Sequence, residues 1–214
     1  MRLEAPLLLL CAFGCLLGCL AGCSIGRPPE KRPVNAYLAD PRDLASVRRV
    51  MVLPFAEESG VTAETERLRD AYLAELQKLR RFEIVPLPAS AQECALLNKS
   101  ARAGELSTET VVHLCDRYHL DGVLVGSVTA WRAYMPQQLG MRTQLVSVHS
   151  GAIVWAVDAL YDAADRSTIS DLRHYYEHME ADDNSLHGWE LNLIAPSWFA
   201  RYVAHRFVGT WTDG

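Results

Sequence analysis

The chain has 214 residues, half of them hydrophobic and 22% charged, with a formal net charge of −5. That length holds one sizeable core, and an acidic balance with no basic stripe excludes nucleic acid as an expected partner. Its 6 cysteines form no disulfide scaffold, because Cys11, Cys15, Cys19 and Cys23 crowd the amino end and only Cys94 and Cys115 fall beyond it.

The chain opens MRLEAPLLLLCAFGCLLGCLAGC. From Pro6 to Ala21 it carries no charge, but the run is shorter than the roughly 20 apolar residues of a bilayer span and ends in small residues. Residues 1–22 therefore read as a secretory signal with its processing site. Leu20-Ala21-Gly22-Cys23 resembles the bacterial lipobox, where a diacylglyceryl group joins the cysteine sulfur and the chain is cut just before it. Only a thiol forms that thioether, so Cys23 is the expected lipid attachment. An ordinary signal cut near Ala21 and a retained helix are the alternatives. Ser24, rather than Asp, after the cysteine points to the outer membrane, facing the periplasm.

Residues 23–46 carry Pro28, Pro29, Pro33 and Pro41 and read as a tether. Tyr37, Leu38 and Leu44 suggest that its second half packs back on a domain spanning 47–214. Val50 to Phe55 forms the first expected strand, short and apolar. A helix follows from about Thr62 to Arg80, with Leu68, Tyr72, Leu76 and Leu79 as its buried stripe. Phe82–Leu87 reads as a second strand. Ser90 to Glu93 makes a capping box that starts another helix, and after an interruption at 102–105 a further helix runs from about Thr108 to Tyr118. Asp121-Gly122 turns into a central strand from Val123 that extends toward Tyr134, with Met141–His149 as its hairpin partner. Ile153, Trp155, Val157 and Ala159 line one face of the next strand. A polar helix over Ser170–Ala181, an apolar link over Trp189–Ile194 and a last helix over Pro196–Phe207 complete the pattern. The last helix buries Phe199, Val203 and Phe207, and Ala195 is its weak N-cap. The order β-α-β-α-β-β-β with C-terminal helices specifies one α/β domain with a mixed sheet.

Four features invite a chemical reading. His174, Glu177 and His178 stand in the order H-x-x-E-H, the short signature of one class of zinc peptidase. At 100° per residue, however, both imidazoles face away from the cluster of Leu172, Tyr175, Tyr176 and Met179. No later carboxylate sits on an apolar helix built to supply the third ligand. A solvated helix face is the expectation, with no cofactor and no metal. Gly122 and Gly126 flank a strand, so they mark tight packing rather than a phosphate loop. Ser59-Gly60 follows the first strand, where α/β folds bind small molecules. Cys94 and Cys115 lie on apolar helix faces, either as two buried thiols or as a disulfide.

The aromatics Trp131 and Tyr134, with Met135 and Pro136, gather where the third strand turns. They either cap the core edge against the C-terminal helix or form a protein-binding site, since Trp, Tyr and Met concentrate at interface hot spots.

Arg49-Val50-Met51-Val52-Leu53-Pro54-Phe55, Leu76-Gln77-Lys78-Leu79 and Phe82-Glu83-Ile84-Val85 resemble the opening of a periplasmic lipoprotein superfamily. It contains the curli-secretion channel, the outer-membrane activator of peptidoglycan synthase and the amino-terminal domain of the Tol translocation protein. Asp121 to Thr129 is similar to its third-strand motif. Gly151 to Trp155, with Asp158 and Tyr161-Asp162-Ala163, is similar to its last meander strand. The resemblance covers about residues 47–163. The tail, with Leu191 to Ser197 and Phe199, resembles uncharacterised lipoproteins of planctomycete-like bacteria.

The resemblance implies an anticodon-binding-like α/β fold and a non-enzymatic envelope lipoprotein whose partners are the membrane and another envelope protein. An oligomeric component of a secretion or assembly system is the alternative, and a zinc hydrolase a remote one. The connections at Met135–Gly140 and Ser150-Gly151 are too short for the hairpins of a transmembrane barrel.

Overall fold

A computed structural model describes residues 34–88, 90–102, 107–180 and 188–211. Cys23, the expected signal over 1–22 and the first part of the 23–46 segment lie outside them. The elements in order are β1 (Asn35–Leu38), α1 (Pro41–Ser46), β2 (Arg49–Val52), β3 (Ala56–Glu57), α2 (Thr65–Lys78) and β4 (Glu83–Val85). Then come α3 (Ala91–Arg102), α4 (Thr108–Tyr118), β5 (Gly122–Arg132), β6 (Gln138–Ser147) and β7 (Ile153–Asp162). After α5 (Arg166–Tyr175) and a π turn (Tyr176–Glu180), a 3-10 turn (Gly188–Glu190) leads into α6 (Leu191–Ile194) and α7 (Pro196–Gly209). Among the described residues no helix is long and apolar enough to cross a membrane.

All the strands join one mixed sheet in the order β1-β7-β6-β5-β2-β4, with β3 pairing β5 as well. Its two halves differ in character. β2 lies parallel between β4 and β5, and Val50, Met51, Val52 and Leu53 are almost wholly buried. Continuous apolar runs of this kind suit strands covered on both faces. Val50 and Val52 enter an inner core with Leu68, Tyr72 and Leu76 of α2 and with α7; Met51 and Leu53 enter an outer core with Leu97 of α3 and Leu114 of α4.

The other half is the antiparallel meander β5-β6-β7-β1. Along β6, Leu139, Met141, Thr143 and Leu145 are buried while Arg142 is exposed and Gln144 half-buried. This is the alternation of strands with one covered face. Gly126 is required beneath it, since a Cβ there would stand 2.7 Å from the Phe55 ring.

The second half of the segment read as tether packs back on the domain through Leu38 and Leu44, as expected: β1 pairs with β7 and buries part of Leu38, and α1 buries Leu44. Three expectations need correction. Tyr37, expected to pack inward, lies on the other face of that edge strand and is 54% exposed. Ile153 is 40% exposed, because the β6–β7 register shifts between Leu145 and Val146 and breaks the alternation that holds from Trp155 onward. The second strand is shorter than Phe82–Leu87, pairing only over Glu83–Val85.

Two clusters of polar groups inside the inner layer are paired. Asp171 of α5 accepts a hydrogen bond from the Tyr202 hydroxyl at 2.8 Å. Arg206 Nε lies 2.9 Å from the same carboxylate, close enough for an ion pair though not aligned as a hydrogen bond. Burial, the neighbouring Asp171 charge and this hydrogen bond push the Tyr202 phenol far up. Glu75 of α2 meets Lys78 Nζ at 2.5 Å and His205 Nδ1 at 3.2 Å. Burial alone raises the Glu75 carboxyl, but hydrogen bonds from His205 and Lys78 outweigh it and hold the group below its ordinary value.

Candidate functional site

Residues 133–137 connect β5 to β6 and project from one end of the sheet. Trp131 and Leu139 are paired across the two strands, and a register shift between Val128 and Ala130 turns Trp131 to the inner face. There it packs, partly buried, against the core that contains Phe199, Val203 and Phe207. Tyr134 and Met135 follow no such path: they are 75% and 60% exposed. The structure thus separates the expected trio into one core-edge residue and two surface residues.

The turn is well braced. Arg132 Nη2 lies 3.3 Å from Asp162 Oδ1, and its Nε donates to the Pro136 carbonyl. Gln138 Nε2 donates to Asp162 Oδ2 at 3.1 Å, and the Ala163 amide donates to the Gln137 carbonyl at 2.8 Å. Tyr134 and Met135 are held out from a fixed backbone, tied to the end of β7.

Within H-x-x-E-H the two imidazoles stand side by side, while Glu177 turns to Arg173. The rings of His174 and His178 stand 3.9 Å apart between centroids, one turn apart on the helix. His178 Nδ1 faces the His174 carbonyl at 2.8 Å, and Arg173 Nε donates to Glu177 Oε1 at 2.7 Å. That hydrogen bond lowers the Glu177 carboxyl from its ordinary value. Leu172 and Tyr175 are buried as expected, but Met179 is 60% exposed, since the chain widens into the π turn from Tyr176 and the 100° spacing no longer applies.

Among the described residues, no group of three His, Cys, Asp or Glu is placed to hold a metal ion. Asp182, Asp183, His187 and Asp213 lie outside them. Because His178 Nδ1 faces the His174 carbonyl and Glu177 is held by Arg173, protein purified without chelator should hold well under one zinc per chain. Stoichiometric zinc, lost in the His174→Ala, His178→Ala double variant, would reverse this reading.

Cys94 and Cys115 are both free thiols, Cys94 half-buried and Cys115 buried, so the disulfide alternative is not formed. Burial pushes the Cys115 thiol up, away from reactivity. Ser59-Gly60 is an exposed turn with Gly60 at φ 83°.

A concavity on the outer face of the sheet carries no signal in the local sequence. A groove of about 850 Å³, including its solvent-open space, runs over the outer face of the sheet. Leu53 and Pro54 after β2, Val123 and Val125 of β5 and Val146 of β6 line it, with Ala101 of α3 and Val111 of α4 on the helical side. A second concavity continues it over Ser127, Arg142 and Gln144, sharing Val125 and Gly126. Arg142 is engaged there by Asp158 at 2.9 Å and Glu58 at 3.4 Å.

The lining comes from five elements far apart in the chain. Of these, the sequence shows only that Val123 and Val125 are both apolar, on the face opposite Leu124. α3 and α4 cover the parallel strands there and stop short of the meander, and the groove is the step between.

No protein-family model matches the chain, and no curated protein matches it. Among solved structures it is similar to the PelC dodecamer from Paraburkholderia phytofirmans, at 16% identity over 64% of this chain and 88% of that one, with a TM-score of 0.44. It is also similar to lipoprotein GNA1162 from Neisseria meningitidis, at 18% identity over 53% and 79% of the two chains, with a TM-score of 0.38. The C-terminal domain of LpoB from Salmonella enterica matches at 15% identity over 54% and 82%, with a TM-score of 0.39. At such TM-scores these neighbours assign no activity to this chain.

Proposed function

We propose that this chain is a non-enzymatic lipoprotein of the bacterial envelope, anchored through Cys23 to the outer membrane and facing the periplasm, whose domain binds another envelope protein as an interaction or assembly accessory. The observation that carries this reading is the outer-face groove. Among the described residues its lining is apolar save for the Thr108 hydroxyl. A long apolar groove with Arg142, Gln144 and Ser127 at one end fits the apolar core and polar rim of a protein interface.

A photo-crosslinking residue at Thr108, exposed on the groove wall, tests this in intact cells. The expected result is a discrete protein adduct that the same probe at Gln77, exposed on α2 in the opposite layer, does not form. Adducts of twice the chain mass would identify the partner as a second copy. No protein adduct from Thr108, in a variant that folds and is exported, would overturn the reading.

A further inference from the structure

The sequence leaves Tyr134 and Met135, with Trp131, as either a capped core edge or a protein-binding site, but the place of the exposed pair in the sheet favours a different occupant. β7 runs parallel to β5, so both reach their ends at the side where the β5–β6 turn projects. β1 is antiparallel to β7, and its first residue, Asn35, pairs with Asp158. The chain therefore enters the sheet from the same side as the turn. Asp162, which pairs with Gln138 at the base of the turn, lies four residues beyond Asp158, or about 13 Å along the strand.

Between Cys23 and Val34, where the described residues start, there are only eleven steps of chain. At no more than about 3.6 Å each, they reach roughly 40 Å. A lipid on Cys23 thus holds the domain within one domain's width of the bilayer, on the leash that enters beside the turn.

The chemistry of the turn suits that neighbour. Residues 133–136 are Ala133, Tyr134, Met135 and Pro136, with no charge among them. Arg132, at its base, is paired with Asp162. Leu160, 42% exposed, lies on the outer face over Gly140 and extends the apolar edge toward β1. Tyrosine places an apolar ring and a polar hydroxyl across the headgroup boundary, and methionine enters below it. The backbone is already fixed by the Arg132, Gln138 and Ala163 contacts, so docking orders little that was free.

We infer that the β5–β6 turn, through Tyr134 and Met135, is a membrane-contact site that seats the domain on the lipid surface to which Cys23 anchors it. Two side chains would not retain a protein on a bilayer by themselves. Tethered by a short leash, they meet the surface at high effective concentration, and a weak contact is enough to set orientation. With the turn down, the strand axes point at the membrane and the outer-face groove stands sideways, open to the periplasm. The inference rests on the lipid-anchor reading of the proposed function.

The test uses the full lipoprotein with Cys94→Ser, reconstituted in phosphatidylethanolamine and phosphatidylglycerol vesicles. A nitroxide is attached at Met135→Cys or, as control, at Val112→Cys on the exposed face of α4. Intact mass establishes the lipid on Cys23. Relaxation by oxygen, which concentrates in lipid, should exceed that by an aqueous nickel chelate several-fold at position 135 and fall below it at 112. Equal aqueous access at both positions, in protein whose mass carries the lipid, overturns the membrane contact alone and returns the pair to a protein partner. A chain without lipid that fails to float with the vesicles overturns the anchor, and the inference with it.

Discussion

Asp171→Ala should lower the stability of the domain by about 3 to 5 kcal/mol, and its melting temperature by roughly 10 °C. The carboxylate is buried between α5 and α7, where it accepts from Tyr202 and faces Arg206. Removing it leaves a guanidinium without its counter-charge and a buried phenol without an acceptor, and each is costly in a water-poor interior. The pair itself need not stabilise the fold. The triple variant Asp171→Leu, Tyr202→Phe, Arg206→Met should recover most of the loss, because apolar groups of similar size carry no desolvation penalty. Urea unfolding of the three proteins checks both halves. A single variant within about 1 kcal/mol of the parent would mean that the cluster is solvated and the inner layer looser than described.

Cys23→Ala should abolish incorporation of a labelled fatty acid and move the protein out of the detergent phase. The expectation follows from chemistry specific to sulfur: a side chain without a thiol cannot form the thioether on which processing depends. The fold of residues 34–211 should be unaffected, so the variant should melt like the parent. Together the two results separate loss of the anchor from loss of the domain. Unchanged labelling of the variant would end the lipoprotein reading, and Thr108 crosslinks would then have to be sought in another compartment.

The elements legible in the sequence were those with strong local signals. α4 runs from Thr108 to Tyr118 as expected, capped by the Ser107 hydroxyl accepting from the Thr110 amide at 3.2 Å. Ala195 caps α7 without a side-chain bond, with Pro196 behind it. The strands of the parallel half announced themselves as short apolar runs. What escaped was decided by pairing partners far away. β1 has only four residues among prolines, and only the free edge of β7 makes it a strand. β3 has two residues, aligned by β5.

The bulge near Thr129 decides the site. Without it, spacing alone groups Trp131 with Tyr134 and Met135; with it, Trp131 turns into the core. The groove was less legible still. A step between a two-helix cover and a bare meander is a property of layers, and no local window of sequence contains it.

Trp211 stacks on Trp155 of β7, with ring centroids 4.4 Å apart, and meets Phe82 edge-on at 5.1 Å. α7, just before it, supplies Phe199, Tyr202, Val203 and Phe207 to the inner core. The inner face of a sheet begun near residue 35 is therefore closed by residues near 200. A chain emerging amino end first holds Trp155 and Tyr161 without Trp211, Tyr202 and Phe207 until nearly everything else has been delivered. Folding of this domain is then an event of completion rather than of gradual growth, paced by long-range closure. The interval before α7 arrives is when its apolar strands most need shelter from one another.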